Sequence, residues 1–209
     1  MIFIRKFRAI WLVHAGILLT FALIPVWLRL QQSPLFAPLY VTRFLIFLPM
    51  LWAIACWLIL RVPGFRDLRH TRWQGRWALA LLLLVLWSFA SLTWAFQRVQ
   101  YPEVGGTAAL QFAVSALFAL VVACAAPAPR LIVTVLAFGL IGNAAITVLQ
   151  AQNQAALGLI ALGEFPFSAQ STGVSILQSG AFRWVRPYGL MPHPNMLAGT
   201  LLVGVLAAA

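Results

Sequence analysis

The sequence predicts an all-α integral membrane protein, and three observations support this prediction. Hydrophobic residues make up 63% of the 209 residues, charged residues make up only 8%, and the mean hydropathy is +0.97. Such a chain cannot present the charged surface that keeps a soluble domain dispersed. Long apolar runs alternate with short segments that hold most of the arginines. This alternation is typical of transmembrane helices, and it argues against nucleic-acid binding despite the net charge of +11.

Six apolar segments are predicted to form helices within one membrane domain covering residues 1–209. The first follows Arg5, Lys6 and Arg8, and it is too long, with no Ala-x-Ala site after it, for a cleaved signal peptide. The last run has only 14 residues, whereas a span needs about 20. We therefore expect either that the natural gene continues beyond Ala209 or that the chain is a defective fragment. The sequence predicts five complete spans and a truncated sixth, at 9–28, 41–60, 77–96, 108–126, 131–149 and 196–209.

The positions of the positive residues predict the topology, because cytoplasmic loops of membrane proteins are enriched in Lys and Arg. The amino terminus is predicted to be cytoplasmic and the segment 150–194 to form a long external loop. In that loop, the apolar stretch 155–163 is expected to lie in the interface or to re-enter as a half-helix, and 165–180 to form a surface loop or short hairpin. The residues assigned to the cytoplasmic side are Arg5, Lys6, Arg8, Arg61, Arg66, Arg69, Arg72, Arg76 and Arg130, and those assigned outside are Arg29, Arg43, Arg98, Arg183 and Arg186.

Few residues are suited to metal binding or to hydrolytic chemistry. The carboxylates are Asp67, Glu103 and Glu164, and the first external loop, 29–40, has none. A divalent metal that holds a diphosphate needs hard oxygen ligands, so the sequence predicts neither a metal site nor a cofactor. Cys56 and Cys124 lie in separate spans and are expected to pack as small hydrophobic residues. Asn143, in the fifth span, is predicted to bond across a helix interface.

Polar chemistry is concentrated in Arg183–Leu201, directly before the last apolar run. The order Arg186-Pro-x-Gly189-x-x-x-His193-Pro-Asn195-x-Leu197-Ala198-Gly199 resembles the core motif of the O-antigen ligase and O-antigen polymerase superfamily. Members of this superfamily are multi-spanning membrane proteins of bacterial surface-polysaccharide assembly. The resemblance covers this motif directly and, beyond it, only the pattern of spans.

The resemblance implies a glycosyltransferase of lipopolysaccharide or exopolysaccharide biosynthesis in the bacterial inner membrane. Such an enzyme transfers a glycan from an undecaprenyl diphosphate donor to a sugar hydroxyl, on another glycan or on the lipid A core, at the outer face and without a metal. The choice between ligase and polymerase stays open, and this fragment alone is expected to be inactive.

Each motif residue then has an expected role. Arg186 and Arg183 are expected to bind the donor diphosphate, because the guanidinium fork binds phosphate oxygens with two hydrogen bonds. His193 is expected to act as a general base on the acceptor hydroxyl, to fix the turn, or to donate to a phosphate. The residues with a structural role are Pro187, Gly189, Pro194 and Asn195, the last as a helix cap.

Two other classes of function stay open. One is a transporter-like member of the same superfamily, similar to candidates for bicarbonate uptake, and the other is a structural membrane subunit without an active site. A transporter is expected to show paired broken helices in two repeated halves, and no internal repeat is visible. In a structural subunit, Arg183 and Arg186 would contact only lipid headgroups.

Trp184 and Tyr188 are predicted to anchor the end of the external loop at headgroup depth.

Overall fold

The computed structural model describes residues 2–26, 41–60, 72–95 and 102–208, and these residues are mostly helical. The prediction that the chain is mainly helical is confirmed. The structure also contains a two-stranded sheet, which the predicted fold class did not include. Each helix overlaps a predicted apolar segment, and their ends differ by up to seven residues. The helices are α1 (Ile2–Leu23), α2 (Val41–Ile59), α3 (Arg72–Ala95), α4 (Pro102–Ala125), α5 (Pro129–Asn153) and α6 (Pro194–Ala208).

Among the described residues, three helices are long and apolar enough to cross a membrane, over Gly75–Trp94, Ala108–Ala125 and Pro129–Asn153. The apolar parts of α1, α2 and α6 are shorter within the described residues. The count of five complete spans therefore stays a prediction. None of the Gly75–Trp94 window is buried within the chain, so its leucines and tryptophans require an apolar environment outside it.

Hydroxyl groups in the long helices bond to the backbone of their own helix. Each donates to a carbonyl three or four residues earlier, at 2.7–2.8 Å. A hydroxyl in a hydrocarbon environment without such a partner would be costly, and this local bond removes the cost. The pairs are Ser88 with Val85, Ser115 with Gln111, Thr134 with Arg130, and Thr147 with Asn143.

The chain divides into two compact units. The first consists of Met1–Ile17 and Pro49–Pro127, and the second of Leu18–Leu48 and Ala128–Ala209. Helices α1 and α2 each contribute to both units. Two compact units can both belong to one membrane domain, so the prediction of a single membrane domain over residues 1–209 stays a prediction.

Within the first unit, Gly16 allows α1 to pack closely on α2, and His14 links α1 to the end of α4. A Cβ at Gly16 would lie 2.9 Å from Ala53 Cβ, so the close approach of α1 to α2 requires glycine there. His14 Nε2 donates to the carbonyl of Ala125 at 2.9 Å. This bond satisfies one of the carbonyls that the last turn of α4 leaves without a helical partner. His14 therefore has a structural role.

Within the second unit, α5 packs closely against two neighbours. Gly139 approaches the end of α1, where an added Cβ would lie 2.8 Å from Pro25 Cγ. Gly204 of α6 leaves room for the side chain of Leu140, which occupies the place of the missing Cβ. Glycine at these two positions permits the close approach of the neighbouring segments.

The segment between α5 and α6 folds differently from two of the expectations. Residues 155–163 form no half-helix, so that alternative is wrong; they contain a bridge from Ala155 to Ser168 and a 3₁₀ turn at Ile160–Leu162. A hairpin does form, but later in the chain than predicted. Strand β1 (Ile176–Ser179) pairs antiparallel with β2 (Phe182–Val185).

The hairpin turn itself has a clear cause in the sequence. Ser179 pairs with Phe182, so the turn has two residues, and Gly180 at its first position has a φ of +58°. A type II′ turn requires this geometry, and glycine adopts it without a steric cost.

Several predicted loops lie outside the described residues. These are the first external loop at 29–40, most of the basic loop at 61–76, and residues 97–101 of the loop before α4.

Candidate functional site

A stripe of polar side chains runs along one face of α5. Asn143, Thr147, Gln150 and Gln154 follow each other at intervals of four, three and four residues, the spacing that places side chains on one side of a helix. Asn143 and Gln150 are each only 1% exposed. Buried amides in an otherwise apolar helix need hydrogen-bond partners. Most of the partners are backbone groups of the segment that carries Arg186. In addition, Asn143 Nδ2 donates to the carbonyl of Pro25 at 2.8 Å, and Gln150 donates to the carboxylate of Glu164.

Gln150 makes four hydrogen bonds. Its Oε1 accepts from the backbone N–H of Tyr188 at 3.0 Å and of Gly189 at 2.7 Å. Its Nε2 donates to the carbonyl of Gly189 at 3.0 Å and to Glu164 Oε1 at 2.7 Å. The amide therefore binds both sides of Gly189, and its whole hydrogen-bonding capacity is in use.

Glu164 is fully buried, and its carboxylate is surrounded by N–H donors. Oε1 accepts from the backbone of Leu157 at 2.6 Å as well as from Gln150, and Oε2 accepts from the backbone of Leu159. The carboxylate thus closes the loop 157–164 on itself and joins it to α5. A buried carboxylate is tolerated where hydrogen bonds replace its hydration, as they do here.

The segment Val185–Leu190 is attached to α5 almost throughout. Gln154 Oε1 accepts from the backbone N–H of Val185 at 2.7 Å, and Asn143 Oδ1 accepts from that of Leu190 at 2.8 Å. Together with the two bonds to Gln150, four of the five backbone N–H groups in this segment bond to amide side chains of α5 or of Gln154, the residue directly after it. The fifth, on Arg186, bonds to the carbonyl of Ser175 at 2.9 Å.

Gly189 is required for this attachment. Its φ is +57°, in the left-handed region, and a Cβ there would overlap Asn143 Oδ1. The Arg-Pro-x-Gly turn predicted from the motif therefore depends on glycine for two separate reasons, its backbone conformation and the space that the Asn143 amide needs.

Tyr188 lies in the core of this segment. It is 3% exposed, stacks on Phe165 at 5.4 Å, packs against Phe167, and its hydroxyl accepts from the backbone N–H of Ser175 at 2.8 Å. The prediction that Tyr188 anchors the segment at headgroup depth is therefore wrong, because its ring and hydroxyl are both used inside the fold. Trp184 is 56% exposed, and its role as an anchor stays a prediction.

Arg186, Asn195 and His193 are brought together at the start of α6. Arg186 Nη2 donates to Asn195 Oδ1 at 3.1 Å, and the backbone N–H of Asn195 donates to His193 Nδ1 at 3.2 Å. The carbonyl of His193 accepts from Met196 and Leu197, so His193 is the residue that caps α6. The prediction that Asn195 caps the helix is wrong, because the helix begins one residue earlier, at Pro194.

The hydrogen bond to His193 limits what its ring can do. A backbone N–H can only donate, so Nδ1 must accept, and the proton of the neutral ring then lies on Nε2. The ring is exposed, and in this state it presents a donor rather than a free base. Of the expected roles of His193, the geometry favours donation to an anion and fixing of the turn over removal of a proton from a hydroxyl.

An apolar cleft of about 320 Å³ lies beside this group of residues. The end of α5, the hairpin and the start of α6 form its walls, and Arg186 is the one charged residue among those that line it. Pro187 and Pro194 also line it, so the motif forms one side of the opening. The other lining residues are Ala151, Gln154, Leu177, Trp184, Val185, Leu197, Ala198 and Leu201.

Arg183 takes a different position. It lies on β2 opposite Gln178, its Nη2 donates to the carbonyl of Ser171 at 3.4 Å, and it does not line the cleft. The structure therefore joins Arg186, His193 and Asn195 but does not bring Arg183 into the same cleft.

Comparison of the whole chain with known proteins gives no relative. No family model matches this chain, and comparisons with curated proteins and with solved structures find no match. The resemblance of the motif thus remains an expectation from its own residues. Within the part of the chain that the structure describes, no three His, Cys, Asp or Glu side chains are grouped in a way that could hold a metal ion.

Sequence reasoning overlooked three residues of this site, namely Gln150, Gln154 and Glu164. The sequence prediction places Gln150 and Gln154 in the external loop, although the spacing of Gln150 from Asn143 puts these two residues on one helix face, and Gln154 follows directly after the helix. That spacing was the available signal. Glu164 gave none, because a lone acid in an irregular segment does not reveal its partners.

Proposed function

We propose that this chain is part of a glycan-transferring membrane protein of the O-antigen ligase or polymerase type, and that Arg186 binds the diphosphate of a lipid-linked donor. The observation that supports this most is the setting of Arg186. Arg186 is half-buried as a residue and lines an apolar cleft, its guanidinium takes part in an exposed hydrogen bond, and the one side-chain partner found for it among the described residues is the neutral amide of Asn195.

The chemistry of this setting suits an anionic amphiphile. A guanidinium has five N–H donors, and the bond to Asn195 uses one of them, which leaves enough for a two-pronged contact with phosphate oxygens. The first backbone N–H groups of α6 are bonded to His193, so an anion would depend on side chains rather than on the helix terminus. The apolar lining suits the lipid portion next to the diphosphate.

In the proposed reaction, an acceptor sugar hydroxyl attacks the anomeric carbon of the donor glycan. A bond from the hydroxyl oxygen to that carbon forms, the bond from the carbon to the diphosphate oxygen breaks, and the diphosphate leaves as an anion while the hydroxyl proton passes to a base. Arg186 would stabilise the charge that develops on the diphosphate, and His193 Nε2–H would donate to the same group. The base is not assigned to a residue of this chain.

The proposed setting is the outer face of the bacterial inner membrane, with the amino terminus in the cytoplasm. The donor would be a lipid-linked oligosaccharide, and the acceptor either a growing glycan or the lipid A core. Membrane lipids would surround the apolar helices. The arrangement of positive residues along the sequence supports this orientation.

A binding experiment tests the proposal, because binding requires only the Arg186 site. The purified chain in nanodiscs is titrated with farnesyl diphosphate, with farnesol, which lacks the anion, and with inorganic diphosphate, which lacks the chain. We expect farnesyl diphosphate to bind most tightly. Arg186→Ala should weaken its binding about tenfold or more, since a hydrogen bond to a charged group contributes roughly 1.5–3 kcal/mol.

Two further variants distinguish a diphosphate site from a headgroup anchor. Arg186→Lys should rescue binding poorly, because an ammonium cannot make the two-pronged contact. Arg130→Ala removes an exposed arginine from the start of α5, away from the cleft lining, and should leave binding unchanged. Full binding by the lysine variant, or equal losses for the Arg186 and Arg130 alanine variants, would contradict the proposal.

A further inference from the structure

The amide of Gln150 has a feature that a simple packing residue lacks, because its partners determine its orientation completely. The N–H groups of Tyr188 and Gly189 can bond only to an oxygen, and the Glu164 carboxylate can bond only to a donor. Exchange of the amide oxygen and nitrogen would break all of these bonds. Gln150 therefore holds the chain in one register, and Glu164 fixes the direction of its amide.

The two residues whose N–H groups bond to Gln150, Tyr188 and Gly189, are close to Arg186 along the chain. Only Pro187 separates Arg186 from Tyr188, and the proline ring fixes one of the two backbone dihedrals of that link. On the other side of Arg186, Gln154 holds the N–H of Val185. The backbone on both sides of Arg186 is therefore attached to α5, while its side chain reaches Asn195 of α6.

We propose that Gln150 is the positioning residue of the Arg186 site, and that Glu164 acts with it by orienting its amide. Gln150 is buried and does not line the cleft, so it would influence a ligand only through the placement of Arg186. The proposal rests on the proposed function for the identity of the ligand, but the placement of the segment by Gln150 can be measured without one.

A double-mutant cycle tests whether Gln150 acts through Arg186. Farnesyl diphosphate affinity is measured for the wild type, Gln150→Leu, Arg186→Ala and the double variant, with farnesol as the uncharged reference. In metal sites, loss of the outer hydrogen-bond partners of a ligand residue typically costs about tenfold or more in affinity, and we take that magnitude as the guide here. We therefore expect Gln150→Leu to weaken diphosphate binding about tenfold in the wild-type background and to have no further effect in the Arg186→Ala background. Farnesol affinity should change little.

A stability-matched control separates positioning from general destabilisation. Val121 is fully buried in the other compact unit, so Val121→Ala should lower the unfolding temperature without changing the ratio of farnesyl diphosphate to farnesol affinity. Equal losses from Gln150→Leu in both Arg186 backgrounds, or the same change of ratio in Val121→Ala, would overturn the proposal. Gln150→Glu, which keeps the two acceptor contacts and removes the donor, is the second variant if the leucine variant does not fold.

A distance measurement keeps the inference separate from the proposed function. Spin labels are placed at two exposed positions, Gln152 on α5 and Gln178 on β1, after replacement of Cys56 and Cys124 by serine. We expect a narrow distance distribution in the wild type and a broader one in Gln150→Leu or Gln150→Glu. An unchanged distribution would overturn the positioning role. A wild type that shows the narrow distribution but does not bind farnesyl diphosphate would contradict only the proposed function.

Discussion

The side-chain amide of Gln150 bonds to both the N–H and the C=O of Gly189, at 2.7 and 3.0 Å. This pairing joins the last residue of the Arg-Pro-x-Gly turn to a long apolar helix, in a place where neither residue is open to solvent. In such surroundings an amide that lost its partners would cost far more than it would in water. The relationship therefore makes the turn sensitive to changes at either residue.

Gly189→Ala should destabilise the protein more than alanine at another glycine with positive φ. The substitution adds the cost of a left-handed backbone, about 1–2 kcal/mol, to the overlap of the new Cβ with Asn143 Oδ1, which adds about 1–3 kcal/mol. Gly173 has a φ of +75° with no atom within 4 Å of a Cβ, so Gly173→Ala isolates the backbone term. Unfolding in detergent compares the two, and equal losses would contradict the described contact with Asn143.

Glu164→Gln should lower the free energy of unfolding by about 2 kcal/mol, although it changes only one oxygen to an NH₂ group. All three partners of the carboxylate are N–H donors, so the new amide must place its nitrogen against one of them and leave that donor without an acceptor. Gln152→Ala, at an exposed position on α5, is the reference and should change stability by less than about 0.5 kcal/mol. A Glu164→Gln variant as stable as this reference would show that the carboxylate is not closed in by donors.

The helices were predictable from the sequence because their signal is local. Apolar runs separated by more polar segments located the described helices, and the structure shifts the helix ends by up to seven residues. The small sheet was less accessible, although Gly180 marks its turn, because strands of four residues carry little periodic signal. Val185 of β2 is held in place by buried contacts with Phe167 and Tyr188, and these contacts leave no mark in the local sequence pattern.

The candidate site was predictable in its motif but not in its support. Arg186, His193 and Gly189 stand out as residue types with special chemistry, whereas the partners that place them are common amides. Gln150 and Glu164 are separated by 14 positions, and Gln150 and Gly189 by 39. Such long-range pairs follow from the path of the chain and not from any short pattern. The error about the α6 cap has another cause: asparagine is the usual cap, and only the hydrogen bonds of His193 reveal the exception.

The topology prediction is open to a direct test. A reporter fused at Arg69, in the basic segment that lies outside the described residues, should read cytoplasmic, and one fused at Ser171 should read external. The physical reason is the concentration of arginines on the cytoplasmic side of membrane proteins. The opposite pattern would place the Arg186 cleft away from an exported lipid-linked donor, and it would remove the proposed function.

Asn195→Asp should stabilise the protein while it weakens diphosphate binding, and this opposition makes it a sharp test of the role of Arg186. The side chain at 195 lies in the first turn of α6, where a negative charge is favoured by about 0.5 kcal/mol. The same carboxylate would lie within hydrogen-bond distance of the Arg186 guanidinium, at the place where Asn195 Oδ1 now accepts at 3.1 Å. An arginine paired with a carboxylate has less charge and fewer donors to offer a phosphate, so farnesyl diphosphate affinity should fall about tenfold.

Asn195→Ser, which adds no charge, is the matched control and should retain most of the affinity. Thermal unfolding and titration of the same preparations give both quantities. An aspartate variant that is more stable and binds farnesyl diphosphate as tightly as the wild type would show that the ligand does not depend on Arg186.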